Sequence, residues 1–162
     1  MGKMLLSLVV IGGVCGTLLT GTHRLTATEI QLNREAQARA LMTQMLGQPL
    51  PDAMDIQSDA FGDCRTWLFQ KILVNGYVGE IELRVLSEAD GSLVMRVTRH
   101  RETPGIGDFI DHQRDPWIKT LDGLTAQDLT MVDNVSGATI TTNAIRLAAQ
   151  RSAQTREDYC RG

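Results

Sequence analysis

Thr139 is the residue of this chain best placed to carry covalent chemistry. It closes the run Asp133-Asn134-Val135-Ser136-Gly137-Ala138-Thr139, with Ile140-Thr141-Thr142 behind it. Ser136 and Gly137 mark a turn, and Gly137 and Ala138 carry so little side chain that a bulky partner can approach the backbone. From Asn143 to Gln154, Ile145, Ala148, Ala149 and Ala153 recur at helical spacing. Thr141 or Thr142 is the expected N-cap of that helix. An anion joined to the Thr139 hydroxyl would then lie beside unpaired N–H groups and the positive end of a helix dipole. Taken alone, the same run also fits an ordinary Ser-Gly turn before a capped helix.

A second constellation is Glu102-Thr103-Pro104-Gly105-Ile106-Gly107. Pro104 stiffens the loop, Gly105 and Gly107 let its backbone come close to a flat ring, and Ile106 offers an apolar surface. Glu102 and Thr103 supply groups that could bond the ring's polar edge. His100 reads as a structural histidine, and Tyr77 and Trp117 as packing residues, although Tyr77 could face the site. The three His and the scattered Cys lack ligand spacing, so no metal site is expected. No nucleophile, base and orienting acid stand together, so no catalytic residue is assigned.

These loops need a rigid frame. In Glu80-Ile81-Glu82-Leu83-Arg84-Val85 and again in Leu93-Val94-Met95-Arg96-Val97-Thr98, polar and apolar residues alternate. Asp90-Gly91 lies between them, so they read as a hairpin. Trp67 to Val74 is a third strand, Pro116 to Leu121 and Ala126 to Leu129 are short helical turns, and Met131-Val132 is a last strand. Gln48 to Asp63 reads as loop. Thr28 to Leu46 reads as a helix capped by Thr28 and stopped by Gly47 and Pro49. The fold class is α+β, an antiparallel or mixed sheet with packed helices, behind one N-terminal transmembrane helix.

That last element follows from Met4 to Gly21, which holds no charged residue and as a helix would span roughly 27 Å, close to a bilayer's hydrocarbon thickness. Lys3 would suit a signal peptide, but no small-residue cleavage site follows, and an uncleaved anchor is expected. With a net charge of −3, 4% aromatic residues and no basic stripe, nucleic acid is not an expected partner. Cys15 falls within the anchor. Cys64 and Cys160 remain as an even pair, a disulfide in an exported domain or two unrelated thiols.

Asp-x-x-Ser-Gly-Ala-Thr resembles the acceptor motif of proteins that carry FMN through a phosphoester on the final Thr. His100-Arg101-Glu102-Thr103-Pro104-Gly105-Ile106-Gly107-Asp108 is similar to the His-x-Glu-Thr-Pro-Gly-Leu-Gly segment of the G subunit of the Rnf electron transport complex. The C subunit of the sodium-pumping NADH:quinone reductase shares that FMN-binding domain. Gly76-Tyr77-Val78-Gly79, Pro116-Trp117-Ile118 and Asp122-Gly123 match further blocks in the same order. Ile106 replaces the family's common Leu, and Phe109 stands where a Lys is frequent.

The resemblance implies covalent FMN on Thr139, an acceptor loop of Asp133, Ser136, Gly137 and Ala138, and a cofactor wall of Glu102, Thr103, Gly105, Ile106 and Gly107. It also implies a Cys64–Cys160 disulfide, since Rnf G subunits have a Cys at both places. The expected organisation is a cytoplasmic tail at 1–3, a transmembrane anchor at 4–22, a helical stalk at 23–48 and a periplasmic FMN-binding domain at 49–162. As a single-pass inner-membrane subunit it would relay electrons within an Rnf-type ion-translocating complex. Its partners would be iron–sulfur and flavin subunits, the lipid bilayer, and a flavin transferase that loads FMN from FAD. The alternatives are an extracytoplasmic FMN-binding sensory module and a structural subunit without cofactor.

Overall fold

The computed structural model describes residues 2–51 and 53–161. They form two compact units, one ending at Leu41 and the other beginning at Met42. The first unit is helical throughout, within α1 (Gly2–Leu46). It contains one helix long and apolar enough to cross a membrane. Leu8, Ile11, Leu18 and Leu25 are exposed. The hydroxyls of Thr17, Thr20, Thr22 and Thr26 donate to the carbonyls of Gly13, Gly16, Leu18 and Thr22 at 2.8–2.9 Å. Such back-bonding satisfies each hydroxyl inside the helix, as an apolar solvent requires. Thr28, expected as a cap, caps nothing, because the helix runs through it. No Pro or Gly interrupts the sequence between Gly21 and Gly47. The stop is where the sequence puts it, with Gly47 at φ 71° just past Leu46.

The second unit is built on a five-stranded sheet in the order β1-β2-β3-β4-β5, every pair antiparallel. The strands are β1 (Ala60–Asp63), β2 (Trp67–Asn75), β3 (Glu80–Glu88), β4 (Ser92–Arg99) and β5 (Leu124–Thr125). The predicted hairpin is β3–β4, with Val85 opposite Met95 and Gly91 at φ 87° in the turn. The expected loop up to Asp63 is overturned at its end by β1. Gly62 makes that edge possible: a Cβ there would sit 2.4 Å from the Trp67 carbonyl oxygen. The expected strand at Met131-Val132 is overturned too. Met131 ends a 3-10 turn (Asp128–Met131), and the last strand is β5.

Alternation sends Ile72, Val74, Leu83, Val85, Met95 and Val97 to one face, where they pack into the main core. Helix α2 (Thr139–Arg161) lays Ala144, Ile145, Ala148 and Ala149 on that face, all within 4% exposed. The three alanines let the helix approach closely, and Ile145 fills the remaining gap. Its full burial contributes about 1.5–3 kcal/mol. Two more 3-10 turns, Asp108–Ile110 and Trp117–Leu121, bring Ile110, Ile118 and Leu121 into the same core. Arg96 points to the other face and forms a bidentate pair with Asp122, at 2.7 and 2.6 Å. That pair ties β4 to the residue after the Trp117–Leu121 turn.

Candidate functional site

Thr139 is the first residue of α2, and it is exposed. The turn before it is closed by the Ala138 N–H, which donates to the Val135 carbonyl at 3.0 Å, with Gly137 at φ 77° in the third position. That φ belongs to a type II turn and suits glycine. A Cβ on Gly137 would meet nothing, so the backbone here is open. The expected cap is corrected by one turn. Thr141 and Thr142 are not N-caps but lie inside α2, and the first intrahelical bond runs from Thr142 N–H to Ala138 O at 2.9 Å. Thr142 still serves the turn. Its hydroxyl donates to Ala138 O at 3.0 Å and accepts the Val135 N–H at 3.3 Å.

The segment leading into this turn is held by Arg146. Its guanidinium donates to Leu129 O at 3.2 Å, to Asn134 Oδ1 at 2.9 Å, and to Val132 O. Asp133 and Ser136 are exposed beside Thr139, while Ala138 is buried under the loop.

Residues 103–108 form the second loop. The Thr103 carbonyl accepts N–H groups from Ile106 at 3.1 Å and Gly107 at 2.8 Å. Pro104 fills the second turn position and Gly105, at φ 82°, the third, again as a type II turn requires. Asp108 braces it, accepting the Gly105 N–H at 2.9 Å and Arg114 at 2.8 Å. The Gly105 amide, with Arg114 behind it, holds the Asp108 carboxyl below its usual pKa. Ile106 is displayed on the outside, 59% exposed.

Glu102 is turned inward, whereas residues 103–106 after it are exposed. It is 6% exposed, and both carboxylate oxygens are engaged. One accepts the Val78 N–H at 3.0 Å, the other the Thr141 hydroxyl at 2.5 Å. A Cβ on Gly107 would fall 2.3 Å from Glu102 Cβ, and one on Gly76 would fall 2.5 Å from Glu102 Oε1. These two glycines are therefore demanded by crowding, whereas Gly105 and Gly137 are demanded by φ. One carboxylate thus joins three segments distant in sequence: the 76–79 turn, the 103–107 loop and the first turn of α2.

Of the residues expected at the site, Glu102 meets Gly107 and the first turn of α2 directly, while Asp133, Ser136, Thr103 and Ile106 are exposed. His100 is structural, its Nδ1 accepting the Glu102 N–H at 3.2 Å. Trp117 packs edge-on against Phe109 at 4.8 Å. Tyr77 departs from its expected packing role: it is 72% exposed on the 76–79 turn, beside the exposed Val78. Sequence reasoning missed the bonds of Thr141, Thr142 and Arg146: Thr141 reaches Glu102, 39 residues away, while Thr142 and Arg146 bond the turn and the segment just before α2. Among the described residues no group of three or more His, Cys, Asp or Glu could hold a metal. At the far end of α2, Cys64 and Cys160 are disulfide-bonded. Arg156 lies beside that link and donates to Cys64 O at 2.8 Å and Ser87 O at 2.7 Å.

All three loops and α2 through Gln154 fall within residues 76–154, which match the family model of the FMN-binding domain. The wider chain is similar to the G subunits of ion-translocating oxidoreductase complexes. It is 30% identical to that of Vibrio cholerae, over 92% of this chain and 87% of that protein. It is 26% identical to that of Pasteurella multocida, over 90% and 88%, and 29% identical to that of Stutzerimonas stutzeri, over 86% and 71%. The chain belongs to this G-subunit family of ion-translocating oxidoreductase complexes.

Proposed function

We propose that this protein is a membrane-anchored electron-transfer subunit that carries FMN through a phosphoester on Thr139. The observation that carries the reading is the exposed Thr139 hydroxyl at the first residue of a 23-residue helix, behind a turn held open by Gly137. The residues fit the group. A phosphate on Thr139 would meet the N–H groups that open α2 and the positive end of its dipole. Asp133, Ser136, Gly137 and Ala138 form the acceptor loop. Thr103, Gly105, Ile106 and Gly107 offer a loop of fixed shape with one apolar side chain facing out, and Tyr77 adds an aromatic ring on a neighbouring turn.

Loading requires a partner enzyme that supplies FAD. The FAD pyrophosphate bond breaks, a P–O bond forms to Thr139 Oγ1, AMP leaves, and the hydroxyl proton passes to the transferase or to water. Once bound, the flavin supplies one- and two-electron redox chemistry, and the chain's part is to hold it and exclude water from its edge. We read α1 as the anchor in the inner membrane, with residues 1–3 on the cytoplasmic side. The domain from 49 onward is placed on the periplasmic side, a reading that the Cys64–Cys160 disulfide favours because such links persist in oxidising compartments. There it would exchange electrons with the other flavin and iron–sulfur subunits of an Rnf-type ion-translocating complex.

The test is direct. Purified from cells with an active flavin transferase, the chain should show an FMN-sized mass increment and a fluorescent band on a denaturing gel, both lost in Thr139→Ala. A wild-type chain whose mass is that of the bare polypeptide overturns the covalent reading.

A further inference from the structure

Glu102 sits next to the candidate site and gives both of its oxygens to the protein. We infer that Glu102 is a positioning residue: through Thr141 it sets the orientation in which Thr139 is presented for modification, and it touches no cofactor itself. This rests on the reading of Thr139 as the modified residue.

Glu102 and Thr141 are 6% and 2% exposed, and the bond between them is 2.5 Å. Thr141 lies two residues beyond Thr139 on the same first helical turn, where fraying is easiest because the leading N–H groups lack intrahelical partners. Holding Thr141 fixes the rotation of that turn, and with it the direction of the Thr139 hydroxyl. The second oxygen takes the Val78 N–H at 3.0 Å, so the turn bearing Tyr77 is set by the same group. Gly107 is pressed against Glu102 so closely that it tolerates no Cβ, and a Cβ on Gly76 would displace the Glu102 carboxylate and the Ile81 tip. Both carboxylate oxygens are hydrogen-bonded, and among the described residues no cation pairs with Glu102, so its burial is met by those bonds.

A structural carboxylate and a positioning one differ in what their loss does. If Glu102 only stabilises the fold, attachment of FMN should track overall stability. If it orients Thr139, attachment should fall further than stability predicts. The experiment uses the full membrane-anchored chain with flavin transferase and FAD, following the rate of fluorescent labelling and the melting temperature of each variant. Arg96→Ala serves as the stability control, since Arg96 alternates with the core-facing Met95 and Val97 and so lies on the opposite sheet face.

Thr141→Val keeps the volume and removes the hydroxyl donor, and Glu102→Ala removes the strut. Both should label roughly ten- to hundredfold more slowly than a control of equal melting temperature, the worth of one charge-assisted hydrogen bond. Thr141→Ser restores the donor and should label close to the wild-type rate, while Glu102→Gln, which keeps one acceptor, should fall between. Labelling of Thr141→Val and Glu102→Ala that matches the stability control overturns the inference. So does a Thr141→Ser chain that labels as slowly as Thr141→Val. If Glu102→Ala does not fold, the Val and Ser pair at position 141 still decides. Failure of the underlying reading looks different: the wild-type chain itself would take no label.

Discussion

The two ends of α2 are secured by different means. At its C-terminal end the helix is fastened covalently, Cys160 to Cys64, and Arg156 adds charge-assisted bonds to Cys64 O and Ser87 O. At its N-terminal end no covalent link holds it. Thr141 bonds Glu102, Thr142 bonds the turn before it, and Thr139 is left exposed. The C-terminal end is built for permanence. The N-terminal end is held by hydrogen bonds and leaves one hydroxyl exposed.

The largest effect that this contrast predicts is all-or-none. Thr139→Ala should abolish attached FMN, read by mass, while leaving the melting temperature of the unloaded chain within a degree or so, since the side chain is exposed and buries nothing. Replacing Cys64 and Cys160 together by Ser should do the reverse. With the two cysteines 96 positions apart, loss of the cross-link should cost roughly 4–5 kcal/mol by denaturant unfolding, while FMN still attaches in folded molecules. Abolition of labelling in folded, disulfide-free protein would erase the distinction between the two ends.

Smaller changes sharpen the contrast. Arg156→Ala leaves the Cys64 carbonyl in the β1–β2 turn and the Ser87 carbonyl in β3 without this donor and should destabilise by about 1–3 kcal/mol, again by denaturant unfolding. Thr142→Val at the opposite end loses two weaker bonds to its own turn, and about 1 kcal/mol is expected. The smallest effect concerns pH. Asp108 has its carboxyl held below the ordinary 3.8 chiefly by the Gly105 amide. Its bracing is therefore complete above that value and is lost as pH falls through the lower pKa of the folded state. The protection of the Gly105 amide, its exchange relative to the intrinsic rate at the same pH, should fall only below about pH 3.8, and Asp108→Asn should remove that step.

Much of this frame is written locally. The β3–β4 hairpin follows from alternation on either side of Asp90-Gly91, and α2 from the spacing of Ile145, Ala148 and Ala149. What sequence conceals is set by contacts between distant residues. β1 is four residues long, and its pairing depends on Gly62 lying against the Trp67 backbone. The 3-10 turn that replaces the expected strand at Met131 does carry a local signal. Thr125 and Asp128 cap one another, each accepting the other's N–H, at 3.2 and 3.0 Å. At the site, the turn before Thr139 is legible because Gly137 is a local signal, whereas the helix begins one turn earlier than its threonines suggest. The inward turn of Glu102 is not legible, because its Thr141 partner lies 39 residues away.

Helix α2 also acts as a spacer. Thr139 and Cys160 are separated by nearly its whole length, roughly 30 Å at 1.5 Å of rise per residue. Electron tunnelling decays exponentially with distance, so a redox group carried at Thr139, as proposed, would be insulated from the cystine at the far end. The cross-link would then fasten the domain without drawing current from that group.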